Sequence, residues 1–168
     1  MVLCDLVMRS FREKDTEQLV FLILDFEKEE NKRTHVESSQ MESFLRDIHS
    51  GKNTWAVVLD NRNCLQGYGV VHRYSNNADP FRKKGVFEVQ EFYIAREVRG
   101  MGLGTRIVGG TLQKIRLLQP ERMRQVITEI RDENSKSISI PTKRYRFQPY
   151  NPRVGYDNPN YTIYGRFI

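Results

Sequence analysis

The segment that most constrains this chain is residues 99–104, which read Arg-Gly-Met-Gly-Leu-Gly. Residues 86–94 before it have a strand-like apolar pattern, and an apolar stripe at helical spacing follows it. The stripe consists of Leu103, Ile107, Leu112 and Ile115. Glycines let a backbone approach an anion closely, and the first turn of a helix presents unpaired N–H groups with partial positive charge. The segment therefore predicts a loop that binds phosphate groups.

Two common phosphate-binding motifs do not fit this glycine spacing. Gly100, Gly102 and Gly104 form G-x-G-x-G, whereas the dinucleotide-binding fingerprint needs a further glycine where Thr105 stands. The Walker motif needs Gly-Lys followed by Ser or Thr, and no such triplet follows the segment. On the glycine spacing alone, a turn that merely caps a helix is the competing interpretation.

The first part of the chain predicts one strand and two helices. Residues 6–11 alternate in part and predict a strand. Residues 15–18 and 39–42 match the capping-box pattern that begins helices. The apolar run 19–26 after the first box predicts a buried helix, and an i, i+3, i+4, i+7 pattern after the second predicts an amphipathic helix. That pattern consists of Met41, Phe44, Leu45 and Ile48.

The middle of the chain predicts an antiparallel meander. The runs 54–59, 67–74 and 86–94 have β-type patterns, and turns join them with no helical segment between. The helix after the glycine-rich loop should stop at Pro120. Its interior contains Gly109 and Gly110, which weaken a helix unless packing requires them.

The end of the chain predicts a strand, a short helix and a final pair of strands. The strand covers residues 126–130, and the helix that begins at Ser135 is limited or kinked by Pro141. The aromatic-rich tail ends in the β-like run 161–168. Together these elements predict a mixed α/β domain, residues 1–168, with a mostly antiparallel twisted sheet and helices on both faces.

Composition narrows the class of protein. The 168 residues suit one globular domain, and a net charge of +6 favours anionic partners, including nucleic acid. No apolar run is long enough to span a bilayer, so no membrane association is expected. The first residues do not resemble an export signal, so we expect a cytoplasmic protein in which Cys4 and Cys64 are reduced thiols. The three histidines show no ligand spacing, and no metal site is expected.

The residues around the glycine-rich loop resemble the GNAT N-acyltransferase superfamily. Its signature, Arg/Gln-x-x-Gly-x-Gly/Ala, is matched by Arg99, Gly102 and Gly104, and the apolar strand end that precedes it is matched by Phe92 and Ile94. The predicted order of elements is also the family's order. The resemblance implies a sheet of six to seven strands with about four helices, in which strands four and five splay apart around acetyl-coenzyme A as co-substrate.

The resemblance also implies which residues bind the cofactor. The pyrophosphate would lie on the loop and the helix N-terminus, and the pantetheine arm would pair with the end of strand four. The residues so implied are Phe92, Tyr93, Ile94, Arg99, Gly100, Met101, Gly102, Leu103, Gly104 and Thr105. Asn134, after strand five, matches a position that often contacts the cofactor.

The same resemblance implies direct attack of a substrate amine on the thioester, which requires a general base. Glu88, Glu91 and Glu129 compete for this role. On a regular strand Glu88 shares a face with Phe92 and Ile94 whereas Glu91 points the other way, and a bulge, frequent in this family, would reverse that parity.

The general acid is where this sequence departs from the family's pattern. The family often has a tyrosine that serves as general acid seven residues after the asparagine, where this chain has Pro141. Tyr145, one helical turn later, is the predicted replacement.

Three functions stay open from the residues alone. The first is an acetyltransferase that acts on a primary amine of a protein or small molecule. The second is a toxin that acetylates aminoacyl-tRNA, and the third is a non-catalytic module that binds acyl-CoA or nucleic acid. The acceptor would contact residues 27–38 and about 148–160. The protein is expected to be a monomer or a homodimer.

Overall fold

One seven-stranded sheet organises the described residues, which are 6–31, 38–78, 82–119, 125–131, 134–149 and 161–168 of the computed structural model. The strands are β1 (Leu6–Ser10), β2 (Thr54–Asn61), β3 (Cys64–Arg73), β4 (Phe87–Ile94), β5 (Gln125–Arg131), β6 (Gln148–Pro149) and β7 (Tyr161–Phe167). Their order across the sheet is β1-β2-β3-β4-β5-β7-β6. All neighbours are antiparallel except β4 and β5, so the predicted meander and mostly antiparallel sheet are confirmed.

Four α-helices accompany the sheet in the described residues, as expected. They are α1 (Thr16–Asn31), α2 (Ser38–Ser50), α3 (Leu103–Leu118) and α4 (Ser135–Ser139), and a π-helical turn over Ile140–Arg144 continues α4. Proline has no N–H for an i→i−4 bond, which is a physical reason for α4 to give way to a wider turn around Pro141.

The helices α1 and α3 cover opposite faces of the sheet. Gly69 of β3 faces the side chains of Ile107 and Thr111 on α3. The ring of the preceding residue, Tyr68, lies against Tyr93, whose ring contacts Phe26 of α1. Successive strand residues point to opposite faces, so these contacts assign one face to each helix.

Two local expectations about α1 are wrong. The capping box at 15–18 does not form: the carboxylate of Asp15 accepts from the backbone N–H of Arg12 at 2.8 Å and from the guanidinium of Arg9. Nor is α1 buried all round, because the side chain of Phe21 is 70% exposed. Only one face of the apolar run, which includes Leu19 and Ile23, packs into the core.

The other helix expectations are confirmed with small shifts of boundary. The four-residue stripe of α2 packs on the core, although α2 begins at Ser38, so Ser39 lies inside the helix. The apolar stripe of α3 is buried, and this helix ends at Leu118. Pro120 and most of the predicted acceptor segments, at 32–37 and 150–160, lie outside the described residues.

Strands β4 and β5 pair over a very short length. Phe87 pairs with Val126 and Glu88 pairs with Ile127, and the two strands have no further pair. Just beyond this point, the hydroxyl of Thr128 donates to the carbonyl of Val89 at 3.0 Å. The expected separation of strands four and five is therefore present, and it leaves the second half of β4 with an open edge.

None of the helices in the described part of the chain is long and apolar enough to cross a membrane.

Candidate active site

A cleft of about 410 Å³ opens beside the free edge of β4, and it gathers most of the residues predicted to bind a cofactor. Its lining comes from α1, the end of β4, the glycine-rich loop and α4. The lining residues are Phe26, Glu29, Phe92, Tyr93, Ile94, Arg99, Gly100, Gly104, Asn134, Ser137 and Ile140. Phe26, Ser137 and Ile140 were not predicted, because they lie on helical segments that meet β4 only through the tertiary fold, and Glu29 was predicted only as part of the acceptor segment 27–38.

The backbone of β4 offers hydrogen-bonding groups along this cleft. The N–H of Ala95 donates to Gln66 on β3, whereas the carbonyl of Ile94 accepts from the side chain of Arg99 at 2.9 Å. Backbone groups of successive strand residues point to opposite edges, so Phe92 and Ile94 share the edge that faces away from β3. Tyr93 turns its backbone toward β3 and contributes its ring to the cleft.

The glycine-rich loop adopts backbone conformations that explain its composition. Gly100 and Gly102 have φ values of +83° and +74°, which residues with a Cβ rarely adopt. A Cβ added at either position would meet no atom within 4 Å, so space for a ligand is open in front of the loop. Gly102 is the N-cap of α3, whose first-turn N–H groups have no partner within the helix.

The remaining residues of the loop differ in exposure. The side chain of Met101 is 51% exposed, whereas that of Leu103 is buried in the core. Thr105 lies in the first turn of α3, and its carbonyl accepts a hydrogen bond from another element. None of these three side chains lines the cleft, so any contact they make with a ligand there would come from their backbone.

A charged cluster closes the α1 side of the cleft. Glu29 accepts from Arg96 at 2.5 Å and from Arg99 at 2.9 Å, and the hydroxyl of Tyr93 donates to Glu29 at 2.9 Å and to Asp25 at 2.5 Å. Burial acts to raise the pKa of Glu29, but the hydrogen bonds from Arg96, Tyr93 and Arg99 lower it overall. The signature arginine Arg99 thus ties the strand end, the loop and α1 together.

A β-bulge decides which carboxylates of β4 share a face. Val70 of β3 pairs with Glu91, and the next residue, Val71, pairs with Val89, which leaves Gln90 as the extra residue. The alternation of a regular strand would put Glu88 and Glu91 on opposite faces, but the bulge places them on the same face.

Glu88 and Glu129 both form ion pairs with Arg82 in a largely buried network. Arg82 donates to Glu88 at 3.1 Å and to Glu129 at 2.6 Å, and the hydroxyl of Tyr74 also donates to Glu88. The side chains of Arg82, Glu88 and Glu129 are 16%, 6% and 25% exposed. This network joins β4 to β5 where the two strands begin to separate.

Glu91 is in a different environment. Among the described residues no basic side chain pairs with it, and the hydroxyl of Tyr68 donates to its Oε1. Burial, and second the negative charge of Glu27 on α1, raise the pKa of Glu91 to about 8. A carboxylate with such a pKa exchanges protons near neutral pH.

Tyr145 does not reach the cleft. Its hydroxyl donates to the carbonyl of Thr105 at 2.6 Å and lies against Gly109 of α3. Its pKa is raised by burial. Tyr145, the predicted general acid, therefore packs on α3 and is not among the residues that line the cleft.

The start of α4 supplies polar groups to the cleft instead. The side chain of Asn134 caps α4 by accepting from the N–H of Ser137 at 3.1 Å. Ser137 lines the cleft, and its hydroxyl makes no hydrogen bond among the described residues. Ser137 lies four residues before Pro141, a spacing that places two residues on the same face of a regular helix. Because the family often has its tyrosine at the position of Pro141, this spacing is a signal by which the sequence could have indicated Ser137.

The sequence matches one family model, which is described as an acetyltransferase (GNAT) domain and covers residues 5–144. No curated protein matches it significantly.

Several solved structures share the fold at low sequence identity. A ribosomal-protein-alanine N-acetyltransferase from Brucella melitensis superposes with a TM-score of 0.74 at 15% identity, over 96% of this chain and 99% of that one. A phosphinothricin acetyltransferase from Sinorhizobium meliloti in complex with AcCoA gives 0.71 at 16% identity, over 98% and 89%. PaiA N-acetyltransferase from Thermoplasma acidophilum in complex with coenzyme A gives 0.68 at 12% identity, over 97% and 99%.

Proposed function

The chain belongs to the GNAT acetyltransferase family, and on that premise we propose that it transfers the acetyl group of acetyl-coenzyme A to a primary amine. The observation that carries this proposal is the cleft in which the open edge of β4, the glycine-rich loop and the start of α4 meet. The chain would act as one catalytic domain. The described cysteine, Cys64, is a free thiol, which fits a reducing cytoplasm.

The cleft fits coenzyme A by shape and by chemistry. The open edge of β4 presents backbone groups of Phe92 and Ile94 that can pair with the amides of a pantetheine arm, as a further strand would. The N-terminus of α3 and the loop at Gly100 and Gly102 suit a pyrophosphate, because unpaired N–H groups and a favourable dipole face the open space. Two similar structures hold coenzyme A or AcCoA by their descriptions, which supports the same co-substrate here.

Glu91 is the proposed general base. Bound acetyl-coenzyme A supplies an activated thioester, and the attacking amine must lose a proton as it forms the new C–N bond. Glu88 and Glu129 already accept hydrogen bonds from Arg82, whereas Glu91 has no basic partner in the part of the chain that the structure describes and has a pKa of about 8. Its position directly before Phe92 puts it at the start of the cofactor edge.

Ser137 is the proposed donor to the leaving sulfur. When the C–S bond breaks, its electron pair stays on sulfur, and a thiolate is stabilised by a hydrogen bond from a nearby hydroxyl. Ser137 lines the cleft with an unengaged hydroxyl, whereas the hydroxyl of Tyr145 is held by Thr105. Solvent supplies the proton that finally makes the thiol.

The acceptor is proposed as an amine without a further identity. The described carboxylates on the α1 face, which include Asp25, Glu27 and Glu91, favour an amine that arrives as a cation. Nothing in the described residues favours the tRNA-directed alternative specifically, and the tyrosine expected for such an enzyme is replaced by Pro141.

Release of free thiol from acetyl-coenzyme A, measured with a panel of small primary amines and peptides, tests the proposal. We expect amine-dependent release that falls by about 10²–10⁴-fold in Glu91→Gln, because a positioned general base contributes on that order. In the unchanged protein kcat/KM should rise with pH through about 8, as the raised pKa of Glu91 requires.

Glu88→Gln is the matched control, since it makes the same chemical change on the same strand and face. It should retain most of the activity but lower the free energy of unfolding, because Arg82 loses a buried partner. Binding of acetyl-coenzyme A without thiol release for any amine would instead identify a non-catalytic module. Full activity in Glu91→Gln would remove Glu91 from the mechanism.

A further inference from the structure

Tyr68 of β3 is aimed at the proposed general base. Its side chain is fully buried, with 0% exposure, and its hydroxyl donates to Oε1 of Glu91. Tyr68 pairs with Tyr93, and Glu91 pairs with Val70, so Tyr68 is the diagonal cross-strand neighbour of Glu91. Such neighbours lie about 7–8 Å apart, within reach of a tyrosine side chain. A buried hydroxyl needs a partner, and here that partner is the carboxylate.

The ring of Tyr68 is held in place from the side of the cleft. Its centroid lies 6.2 Å from that of Tyr93, with the ring planes tilted by 37°. The hydroxyl of Tyr93 is in turn bound by Asp25 and Glu29 of α1. The phenol of Tyr68 is therefore packed in one orientation, and its hydroxyl cannot turn away from Glu91 without repacking the core.

This arrangement rests on the proposed role of Glu91, and from it we propose that Tyr68 is the positioning residue of the general base. Its hydroxyl holds Oε1 of Glu91 and leaves Oε2 to accept the proton of the substrate amine. Tyr68 itself touches neither substrate nor cofactor.

The hydrogen bond has a second consequence, which concerns the charge of Glu91. Burial and the charge of Glu27 disfavour the carboxylate form and raise its pKa. A hydroxyl that donates to the carboxylate acts in the opposite direction, because it stabilises the charged form. Without Tyr68, Glu91 would therefore stay protonated, and inactive as a base, over more of the neutral range.

Tyr68→Phe separates this role from packing, because it keeps the ring and removes only the hydroxyl. The pKa of Glu91 is read by ¹³C NMR titration of labelled glutamate carboxyl groups, in which the Glu91 signal is the one missing from Glu91→Gln. We expect about 8 in the unchanged protein and about one unit more in Tyr68→Phe. This readout needs no acceptor. An unchanged or lowered pKa would overturn the proposal.

The pH profile of the reaction gives the second readout. With the pKa raised by one unit, the ionised fraction of Glu91 falls about tenfold at pH 7 but by less than about 1.5-fold at pH 9.5. The ratio of kcat/KM between unchanged and variant protein, measured with one primary amine from the panel, should follow these values. A loss of equal size at every pH would mean that Tyr68 is only structural, which contradicts the proposal.

Tyr74→Phe is the matched control. Tyr74 directly follows β3, and its hydroxyl donates to Glu88 as that of Tyr68 donates to Glu91. This substitution should change neither the pKa of Glu91 nor the shape of the pH profile, and the same pH-dependent loss in both variants would overturn the proposal. If Glu91→Gln is fully active, Glu91 is not the general base and the role of Tyr68 fails with it, whereas acetyl transfer itself stands. If the unchanged protein releases no thiol with any amine, the proposed function fails, and the titration of Glu91 in Tyr68→Phe still decides whether Tyr68 sets its pKa. If Glu91→Gln is inactive and Tyr68→Phe has an unchanged profile, only the role of Tyr68 fails.

Discussion

The carboxylates of this molecule differ in how many donors surround them. Asp15 is 2% exposed and accepts from two nitrogens of Arg9 and from the backbone of Arg12; hydrogen bonding to Arg9, against the effect of burial, lowers its pKa. Glu88 is similarly enclosed by Arg82 and Tyr74. Glu91 has a tyrosine and a negative neighbour instead, and its pKa rises. Carboxylates with complete partners hold the fold together, and the incompletely compensated one suits proton transfer.

Removing the hydroxyl of Ser137 should affect catalysis, whereas removing that of Tyr145 should affect mainly stability. Ser137→Ala should lower kcat by about 10–100-fold with little change in the KM for acetyl-coenzyme A, because a hydrogen bond to a charged leaving group is worth about 1.5–3 kcal/mol. Tyr145→Phe should leave kcat within about twofold and lower the free energy of unfolding by about 1 kcal/mol, since only its bond to Thr105 is lost. Steady-state kinetics and denaturant unfolding measure both effects. A larger loss of kcat in Tyr145→Phe than in Ser137→Ala would return the acid role to Tyr145.

Among the elements, α3 shows how a helix can require glycine in its interior. A Cβ at Gly109 would lie 2.6 Å from the hydroxyl of Tyr145, and a Cβ at Gly110 would overlap the side chain of Met8 on β1. The glycine pair, unexplained by the sequence, therefore lets Tyr145, at the end of the π-helical turn, and β1 approach α3 from two sides. The contact at Gly109 also holds the π-helical turn around Pro141 against α3.

Gly109→Ala reverses the usual effect of this substitution. In a free helix the change stabilises by up to about 1 kcal/mol, but here we expect a loss of about 1–3 kcal/mol because the methyl group displaces the hydroxyl of Tyr145. In a Tyr145→Phe background the same change should be neutral or stabilising, since the oxygen is absent. Denaturant unfolding of the two single variants and the double variant gives the coupling energy. Equal costs in both backgrounds would show that the contact does not matter.

On the scale of the whole molecule, charge is unevenly distributed along the fold. The second half of α1 contains Asp25, Glu27, Glu29 and Glu30, whereas α3 and the segment 134–149 contain no acidic residue. Acidic side chains near a helix C-terminus interact unfavourably with the helix dipole. For Glu29 this effect is offset by ion pairs with Arg96 and Arg99, which follow β4. The sheet thus separates a carboxylate-rich face, next to the proposed base, from a basic one.

Ligand binding should stabilise the whole molecule by mass action. At a concentration 100 times its Kd, acetyl-coenzyme A adds about 2.7 kcal/mol, which corresponds to a Tm increase of about 5–10 °C for a domain of this size. Gly100→Ala should reduce this increase, because its Cβ would stand in the space in front of the loop. Thermal-shift titration measures the effect.

Gly85→Ala is the matched control for that titration. Gly85 has a φ of +87°, close to the +83° of Gly100, and a Cβ at either position meets no atom within 4 Å. Both variants should lose similar stability without ligand, by about 1–2 kcal/mol, but only Gly100→Ala should respond less to acetyl-coenzyme A. An equal response in the two variants would exclude the loop as the anion site.

The family signature and the element order were readable from the sequence because each is a local property. Strand and helix periodicity repeats within a few residues, and the glycine-rich loop is contiguous at residues 99–104. The strand end, part of the loop and Asn134, which the sequence motifs single out, do lie together along one cleft, and their binding of a cofactor stays a prediction. The wrong prediction of a capping box at the start of α1 also came from a local pattern. Asp15 matches that pattern, but its carboxylate accepts hydrogen bonds from Arg9 and Arg12 instead.

The choice among the carboxylates depended on contacts between residues far apart in the chain. Glu91 and Glu88 are three residues apart in one strand, yet Gln90 bulges between them, Arg82 neutralises one, and Tyr68 and Glu27 surround the other. The proposed donor to the leaving sulfur likewise depends on which hydroxyl lines the cleft, since that of Tyr145 is bound to Thr105 on α3. The pKa of a carboxyl and the partners of a hydroxyl depend on the surroundings in space, so local patterns predict the elements and the glycine-rich loop, and only the assembled fold carries the proposals for Glu91 and Ser137.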